Sequence, residues 1–153
     1  MDPIATENLD TLEKIRQVFA RDRFATQCAG VVVEVADPPA PGDKTGVASR
    51  VVCSMTLDER HRNAYGGIMG GAIFTLADFV FAIASNAYSP KLGTVAISAS
   101  ASYLAGSRGT RLIASGRCLR AGRTTIFYAV DVTDDLGVAI ASMSFVGHRS
   151  PIG

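Results

Sequence analysis

The feature that most constrains this chain is an apolar run from Ile68 to Ala84 with a single carboxylate in its middle. The run opens with Gly70 and Gly71, contains no proline and is longer than a typical strand, which together predict a helix. Because the run is apolar on every side, we expect this helix to be buried on all of its faces. The carboxylate, Asp78, has no Lys or Arg one helical turn away, so the helix itself provides no ion pair for it. A buried unpaired charge is costly. Asp78 is therefore either neutralised by hydrogen bonds from the sheet or kept for chemistry.

The composition is that of one globular domain. The chain has 153 residues, of which 48% are hydrophobic and 19% are charged, so it is long enough to bury a sizeable core and too apolar to be disordered. The formal net charge of +1 indicates no general attraction to nucleic acid. The apolar run contains an Asp and two glycines and lacks a dense flanking Lys/Arg cluster, which argues against a membrane span.

The cysteines indicate a reducing environment. Cys28, Cys53 and Cys118 are widely spaced, and the sequence contains no C-x-x-C motif or Cys/His cluster. Neither a disulfide framework nor a zinc site is therefore expected. The N-terminus is acidic and polar, which is not typical of a signal peptide. We therefore expect a cytoplasmic protein with no metal ion and no membrane association.

Turn residues divide the rest of the chain into one further helix and six strands. Leu9, Leu12, Ile15 and Phe19 recur at helical spacing and predict an amphipathic helix over about residues 6–23, packed on the core. The expected strands are residues 30–35, 47–56, 95–103, 111–119, 124–133 and 138–146. Consecutive strands with short turns favour an antiparallel sheet. The pattern therefore predicts an α+β fold in which the sheet curls around the apolar helix.

The start of the apolar helix is a candidate binding site for a carbonyl oxygen. Gly70 and Gly71 lack side chains, so a ligand can approach their N–H groups, which point to the positive end of the helix dipole. Such groups suit the oxyanion that develops on a carbonyl during acyl transfer. Asn63, seven residues earlier, can add a side-chain donor.

The distance along the helix determines how such a site would be assembled. Asp78 lies eight residues after Gly70, which is roughly 12 Å of helix rise. One substrate carbonyl cannot contact both groups of the same helix. If they share a site, Asp78 comes from a second copy whose helix is antiparallel to the first, as in a two-fold dimer.

The segment from residue 63 to residue 78 resembles a known signature. It reads Asn-Ala-Tyr-Gly-Gly-Ile-Met-Gly-Gly-Ala-Ile-Phe-Thr-Leu-Ala-Asp and is followed by Asn86. This resembles the hot-dog-fold acyl-CoA thioesterases of the PaaI-like (phenylacetate-pathway) group, which carry Asn, a short loop, His-Gly-Gly and a helix with Leu-Ala-Asp. Residues 102–104 and 121–124 are similar to strands of that family. The resemblance implies a hot-dog core over residues 25–149 and an N-terminal helix within residues 1–24 of a single domain, 1–153.

The resemblance also implies an activity and a site. The protein would hydrolyse an acyl-CoA to a free acid and CoA as a homodimer or a dimer of dimers, with no cofactor other than the CoA of the substrate. The Gly70 N–H and Asn63 would polarise the thioester carbonyl, and Asp78 of the partner subunit would act as general base or nucleophile. The residues expected around the substrate are Met69, Gly71, Thr75, Ser98 and Arg123. The further candidates for the CoA phosphates are Arg120 and Arg108.

Two departures from the family pattern keep alternatives open. Met69 stands where the family has His, and methionine cannot donate a hydrogen bond. Ala96 stands where the family often has Ser or Thr, with Thr94 and Ser98 on either side. The methionine favours slower turnover or a shifted substrate range, and which hydroxyl near Ala96 would orient the water is left open. The methionine also supports a second hypothesis, an acyl-CoA-binding protein without catalysis; a hydratase ranks third, because no His lies near Asp78 in sequence.

Two further points concern the surroundings of the site. His61 lies two residues from Asn63, and general burial tendencies predict an exposed loop histidine rather than a site residue. The acyl group is left open between an aryl group and a short or medium chain, because periodicity cannot choose between them.

Overall fold

The computed structural model describes residues 11–152. It contains two α-helices, α1 (Leu12–Phe19) and α2 (Gly70–Asn86), a single π-helical turn at Phe24–Cys28, here called the π-turn, and a 3₁₀ turn at Glu59–His61. The strands are β1 (Val31–Asp37), β2 (Arg50–Thr56), β3 (Leu92–Tyr103), β4 (Arg111–Ala121), β5 (Thr125–Asp134) and β6 (Ala139–Pro151).

All six strands form one antiparallel sheet in the order β1-β2-β4-β5-β6-β3. Helix α2 contacts every strand of this sheet, and its Leu76, Val80 and Ile83 are completely buried. Two aromatic rings of the core, Phe81 of α2 and Phe145 of β6, stack with centroids 5.2 Å apart. The predicted α+β fold, a sheet wrapped around a long apolar helix with an additional N-terminal helix, is confirmed.

One face of α2 differs from the prediction. Gly71 is exposed, and Phe74, Thr75, Asp78 and Ala82 are only half-buried. Apart from Phe74, these residues are spaced by three or four positions and form one stripe along the helix. The expectation of burial on all faces is therefore wrong for the single chain, because its own sheet and N-terminal segment leave this stripe uncovered.

The N-terminal segment is anchored to both the sheet and α2. The Thr11 side chain caps α1 by accepting a hydrogen bond from the Lys14 N–H at 3.2 Å. The Arg16 guanidinium donates to the Val33 carbonyl oxygen at 2.7 Å, and the Phe19 ring packs edge-on against Phe79. The predicted packing on the core is confirmed. The helix is shorter than expected at its C-terminus, and residues 6–10 of the prediction lie outside the described part.

Strand β3 forms one edge of the sheet. It pairs with β6, and its other edge has no neighbour within residues 11–152. Val95 and Ile97 are each 63% exposed on this strand. An open edge with exposed apolar side chains is a surface on which another chain can pair.

Candidate active site

The start of α2 has free backbone donors. Met69 is the N-cap residue, and its side chain makes no capping hydrogen bond. The Met69 carbonyl accepts from the Ala72 N–H at 3.0 Å. Within residues 11–152, the N–H groups of Gly70 and Gly71 have no acceptor. These two donors, at the positive end of the helix dipole, can bind a carbonyl oxygen or an oxyanion.

The space beside Gly70 is limited by a neighbouring side chain. A Cβ atom on Gly70 would lie 3.0 Å from Cζ of Tyr103, and the Tyr103 hydroxyl donates to the Gly70 carbonyl oxygen at 3.1 Å. The space that the missing Gly70 side chain leaves is therefore taken by the Tyr103 ring of β3. This ring also holds the start of α2 against the sheet.

In the Asn63 side chain, the oxygen accepts hydrogen bonds from the loop, whereas the nitrogen can still donate to a ligand. Its Oδ1 accepts from the Tyr65 N–H at 2.9 Å and from the Gly67 N–H at 3.1 Å. These bonds shape the loop before α2 and fix the amide orientation, because an Nδ2 group could not accept them. Nδ2 has no partner in the described chain. Asn63 therefore offers a donor whose direction is set by its own loop.

Asp78 is half-buried and has no side-chain partner. Among residues 11–152, no hydrogen bond or ion pair reaches its carboxylate. Burial raises the pKa of this carboxyl above its ordinary value, and the negative charge of Asp22 raises it further. The alternative in which the sheet satisfies Asp78 is not observed in the single chain. An unpaired carboxylate with a perturbed pKa is a candidate catalytic group.

The structure brings three of the expected substrate-binding residues together. Met69, Gly71 and Thr75 line one side of a mainly apolar cavity of about 450 Å³. The Thr75 hydroxyl donates to the Gly71 carbonyl oxygen at 2.8 Å, so it retains only acceptor capacity toward a ligand. The opposite wall consists of Phe24, Cys28, Ala29, Arg60 and His61. We call this space the π-turn cavity.

A second cavity lies on the other side of the helix start. Its volume is about 420 Å³, and Gly70 and Tyr103 line it together with Ile73 and residues 104–107. Arg108, which is exposed, follows the lining residue Ser107 in the chain. The uncapped first turn of α2 therefore separates two cavities.

Other predicted residues lie away from the helix start. Ser98 is exposed on β3, beside a bulge between Ala96 and Ser98. Arg120 and Arg123 are exposed at the β4–β5 turn. That turn is at the end of the sheet where β3 begins, whereas Gly70 contacts the end of β3. A single chain does not place them, or Asp78, beside Gly70.

The prediction for His61 is wrong. This residue is 2% exposed. Its Nδ1 accepts from the Asp58 N–H at 3.0 Å, and its Nε2 lies 2.7 Å from the Ala29 carbonyl oxygen, to which it donates. His61 therefore fastens the loop before α2 to the end of the π-turn. The Asp58/His61 spacing of a capping box was a local signal for this role, whereas the Ala29 contact was not visible in the sequence.

Within residues 11–152, no three metal-binding side chains cluster in a way that would hold a metal ion. None of the helices in the same region is long and apolar enough to cross a membrane.

Comparison with known proteins identifies the family. The model of the thioesterase superfamily matches residues 65–141. A putative esterase of Archaeoglobus fulgidus is 36% identical over 88 residues, which are 57% of this chain and 56% of that protein. Human acyl-coenzyme A thioesterase 13 is 25% identical over 130 residues, covering 84% of this chain and 86% of the relative.

Two solved structures have a similar fold. The PaaI protein from the phenylacetic acid degradation operon of Escherichia coli superposes with a TM-score of 0.71 at 23% identity, covering 94% of this chain and 97% of that one. A Streptococcus mutans protein bound to acetyl-CoA gives a TM-score of 0.62 at 28% identity, covering 78% of this chain and 92% of that one. The expected resemblance to the PaaI-like group is confirmed. The family match spans half of the chain and includes the helix start and Asp78. The chain therefore belongs to the thioesterase superfamily, and the predicted enzyme class, a thioester hydrolase, is confirmed.

Proposed function

We propose that the protein is an acyl-CoA thioesterase that works as a two-fold dimer, with Asp78 of one subunit acting at the helix start of the other. The observation that carries the proposal is the half-buried, unpartnered carboxylate of Asp78 on the uncovered stripe of α2. The similarity to human acyl-coenzyme A thioesterase 13 and to a protein bound to acetyl-CoA supports CoA thioesters as the substrates.

The chemistry follows from the donors and the carboxylate. The thioester carbonyl oxygen accepts hydrogen bonds from the Gly70 N–H and Asn63 Nδ2, which stabilise the negative charge of the tetrahedral intermediate. As general base, Asp78 of the second subunit removes a proton from water, and the resulting hydroxide attacks the carbonyl carbon. The C–S bond then breaks, and the CoA thiolate leaves and takes up the proton. As nucleophile, the same carboxylate would form an anhydride that water hydrolyses.

The surroundings of the stripe suit an antiparallel partner. The stripe lies between the open edge of β3 and the N-terminal segment, and its small Gly71 and Ala82 allow close approach of a second helix. Antiparallel packing brings Asp78 of the partner subunit toward Gly70. It also brings the partner's β4–β5 turn toward the same end of α2. Arg120 and Arg123 therefore remain candidates, with Arg108, for binding the CoA phosphates. In this arrangement Ser98 on β3 would face the partner. Two such dimers could also associate into a dimer of dimers.

One observation favours the second candidate function, acyl-CoA binding without hydrolysis. The Met69 side chain, at the position of the family histidine, makes no capping hydrogen bond, and Ala96 provides no hydroxyl on β3. A site with fewer donors holds the reacting groups less firmly, so turnover would be slow even where binding is retained.

The deciding experiment compares wild type with Asp78→Asn in a thiol-release assay over a panel of acyl-CoAs. We expect wild type to release CoA and the variant to be slower by about 10²- to 10⁴-fold, the usual contribution of a positioned general base. Wild-type rates in a folded Asp78→Asn protein would contradict the assignment. Thermal stabilisation of wild type by acyl-CoA with no thiol release over hours would establish the binding alternative instead.

The substitution is not expected to unfold the protein. A carboxyl whose pKa is raised in the folded chain holds its proton more tightly there than in the unfolded chain. Its contribution to the free energy of unfolding therefore falls as the pH rises from the ordinary pKa, 3.8, through the raised value. Asp78→Asn should be at least as stable as wild type at pH 7, so a loss of activity would not come from unfolding.

A further inference from the structure

The π-turn cavity has two large apolar side chains on its rim that are mostly exposed. Phe24 is 67% exposed and Met69 is 54% exposed, and both line the cavity. Cys28 lines it as well, as an exposed thiol. Its volume of about 450 Å³ is within the range of small-molecule sites.

The wall of this cavity is preformed. The Asp22 carboxylate accepts from the Ala25 N–H at 3.2 Å, and the Thr26 hydroxyl donates to the Asp22 carbonyl oxygen at 2.8 Å. The buried His61 holds the end of the π-turn through the Ala29 carbonyl oxygen. Single π-helical turns are frequent at functional sites. The positions of Phe24 and Cys28 are therefore fixed before a ligand arrives.

The charge of the lining disfavours a charged ligand. Arg60 lines the cavity, and its Nε is paired with the Asp58 carboxylate at 3.0 Å. Arg60 also donates to the Gln27 carbonyl oxygen. No other charged side chain lines the described wall. Since the cation is already neutralised, the cavity offers its occupant mainly apolar contacts.

The position of the π-turn cavity beside the proposed carbonyl site indicates which part of a CoA thioester it would bind. A CoA thioester has two arms that meet at the reacting carbonyl, an acyl group and an amide-rich pantetheine chain. The uncapped helix start, where the proposed carbonyl site lies, has a cavity on each side. The exposed Arg108 directly follows Ser107, a lining residue of the cavity beside Gly70, and its charge suits the arm that leads to phosphates. The π-turn cavity is the more apolar of the two, which suits the acyl group.

We propose that the π-turn cavity binds an apolar acyl group of the substrate and that Phe24 and Cys28 determine which acyl groups fit. The inference rests on the proposed thioesterase function and adds the acyl class. Each methylene that enters the cavity removes apolar surface from water and should raise kcat/KM by about fourfold. Acyl groups that reach the π-turn are therefore preferred over acetyl.

The test changes the size of this cavity and measures thiol release with three substrates: acetyl-CoA, octanoyl-CoA and phenylacetyl-CoA. Cys28→Phe fills the cavity, and Phe24→Ala opens it. Cys118→Phe is the matched control, because Cys118 is also an exposed cysteine but lies on β4. We expect Cys28→Phe to lower kcat/KM for octanoyl-CoA by about 10-fold or more and to leave acetyl-CoA within about twofold. Phe24→Ala should shift the ratio of phenylacetyl-CoA to octanoyl-CoA, and Cys118→Phe should change no ratio.

The outcomes separate this inference from the proposed function. If wild type hydrolyses acyl-CoAs and neither π-turn variant changes the acyl profile, or Cys28→Phe slows all three equally, the cavity does not hold the acyl group. If wild type hydrolyses none, the thermal shift caused by octanoyl-CoA is compared with that caused by acetyl-CoA. A larger shift with octanoyl-CoA that Cys28→Phe abolishes would support the cavity assignment without catalysis, and equal shifts would overturn it.

Discussion

At the scale of single residues, the reactivity of Asp78 depends on a residue from another part of the chain. Asp22 precedes the π-turn, and its charge adds to burial in raising the pKa of Asp78. A general base or a carboxylate nucleophile must be ionised to act. Activity should therefore fall as the pH decreases through the raised pKa of Asp78, at a higher pH than for an ordinary Asp.

Asp22→Asn tests this coupling. The substitution keeps the Oδ1 acceptor of the Ala25 N–H but removes the charge. We expect the acid limb of the kcat/KM profile to move to lower pH, because one of the two causes of the raised pKa is lost. Asp37→Asn, at the exposed end of β1, is the control for removing one negative charge elsewhere. An unchanged acid limb in Asp22→Asn would show that Asp22 does not influence the proposed catalytic carboxylate.

Asn63 shows how one side chain can serve both structure and chemistry. Its oxygen holds the loop through two backbone N–H groups, and its nitrogen, which has no partner in the described chain, is the donor that we propose for the substrate. Asn63→Asp therefore keeps the loop acceptors while it removes the donor. Asn63→Asp can therefore be mixed with Asp78→Asn to test whether the site forms between two subunits.

At the scale of elements, α2 packs closely against the sheet at Gly116 of β4. A Cβ atom there would lie 2.7 Å from Cγ1 of Val80 and 2.5 Å from the Tyr128 hydroxyl oxygen. The Tyr128 hydroxyl is buried without a hydrogen-bond partner in the described chain, and burial raises its pKa. The lack of a side chain at position 116 thus sets how closely α2 packs on β4.

Gly116→Ala should lower the free energy of unfolding by about 1–3 kcal/mol, the usual cost of overpacking a core. Chemical denaturation measures the change. Gly122→Ala is the matched control, because its Cβ would contact only the Thr125 carbonyl oxygen at 3.4 Å, and surface changes usually stay within about 0.5 kcal/mol. Equal stability of the two variants would contradict the close helix–sheet approach.

At the scale of the whole molecule, the proposed site needs two chains. Gly70 and Asp78 belong to one continuous helix, about 12 Å apart along its axis, so one chain cannot direct both at one carbonyl. The uncovered stripe of α2 and the open edge of β3 are the surfaces on which a second copy would pack.

Mixing two impaired variants tests this arrangement. Asn63→Asp alone should lose about 10²- to 10³-fold through the missing donor, and Asp78→Asn alone about 10²- to 10⁴-fold through the missing base. A mixed dimer has one site with wild-type Asn63 from one chain and wild-type Asp78 from the other. Random reassociation should therefore restore about a quarter of wild-type activity. If both groups acted within one chain, mixing would restore nothing.

The sequence alone predicts the order of the elements and most of their bounds, because apolar periodicity is a local property. The predicted bounds are less accurate where pairing with a neighbouring strand determines where a strand begins or ends. The sequence predicts that strand β4 ends at residue 119, yet the strand runs to Ala121 because β5 pairs with it as far as that residue. Likewise, β2 starts at Arg50 rather than at Val47, because Arg50 is the first of its residues to pair with β1.

For the candidate site, too, some features follow from the sequence and others only from the packing of distant elements. The sequence by itself determined the chemical groups: a carboxylate in an apolar helix, two glycines at its start and an asparagine seven residues earlier, with spacing that sets their separation. Only the tertiary structure decided what surrounds them. The contacts of Tyr103 with Gly70, of His61 with Ala29 and of the π-turn with the start of α2 join residues far apart in the chain. Such contacts follow from how the elements pack in three dimensions, which no local pattern of residues encodes.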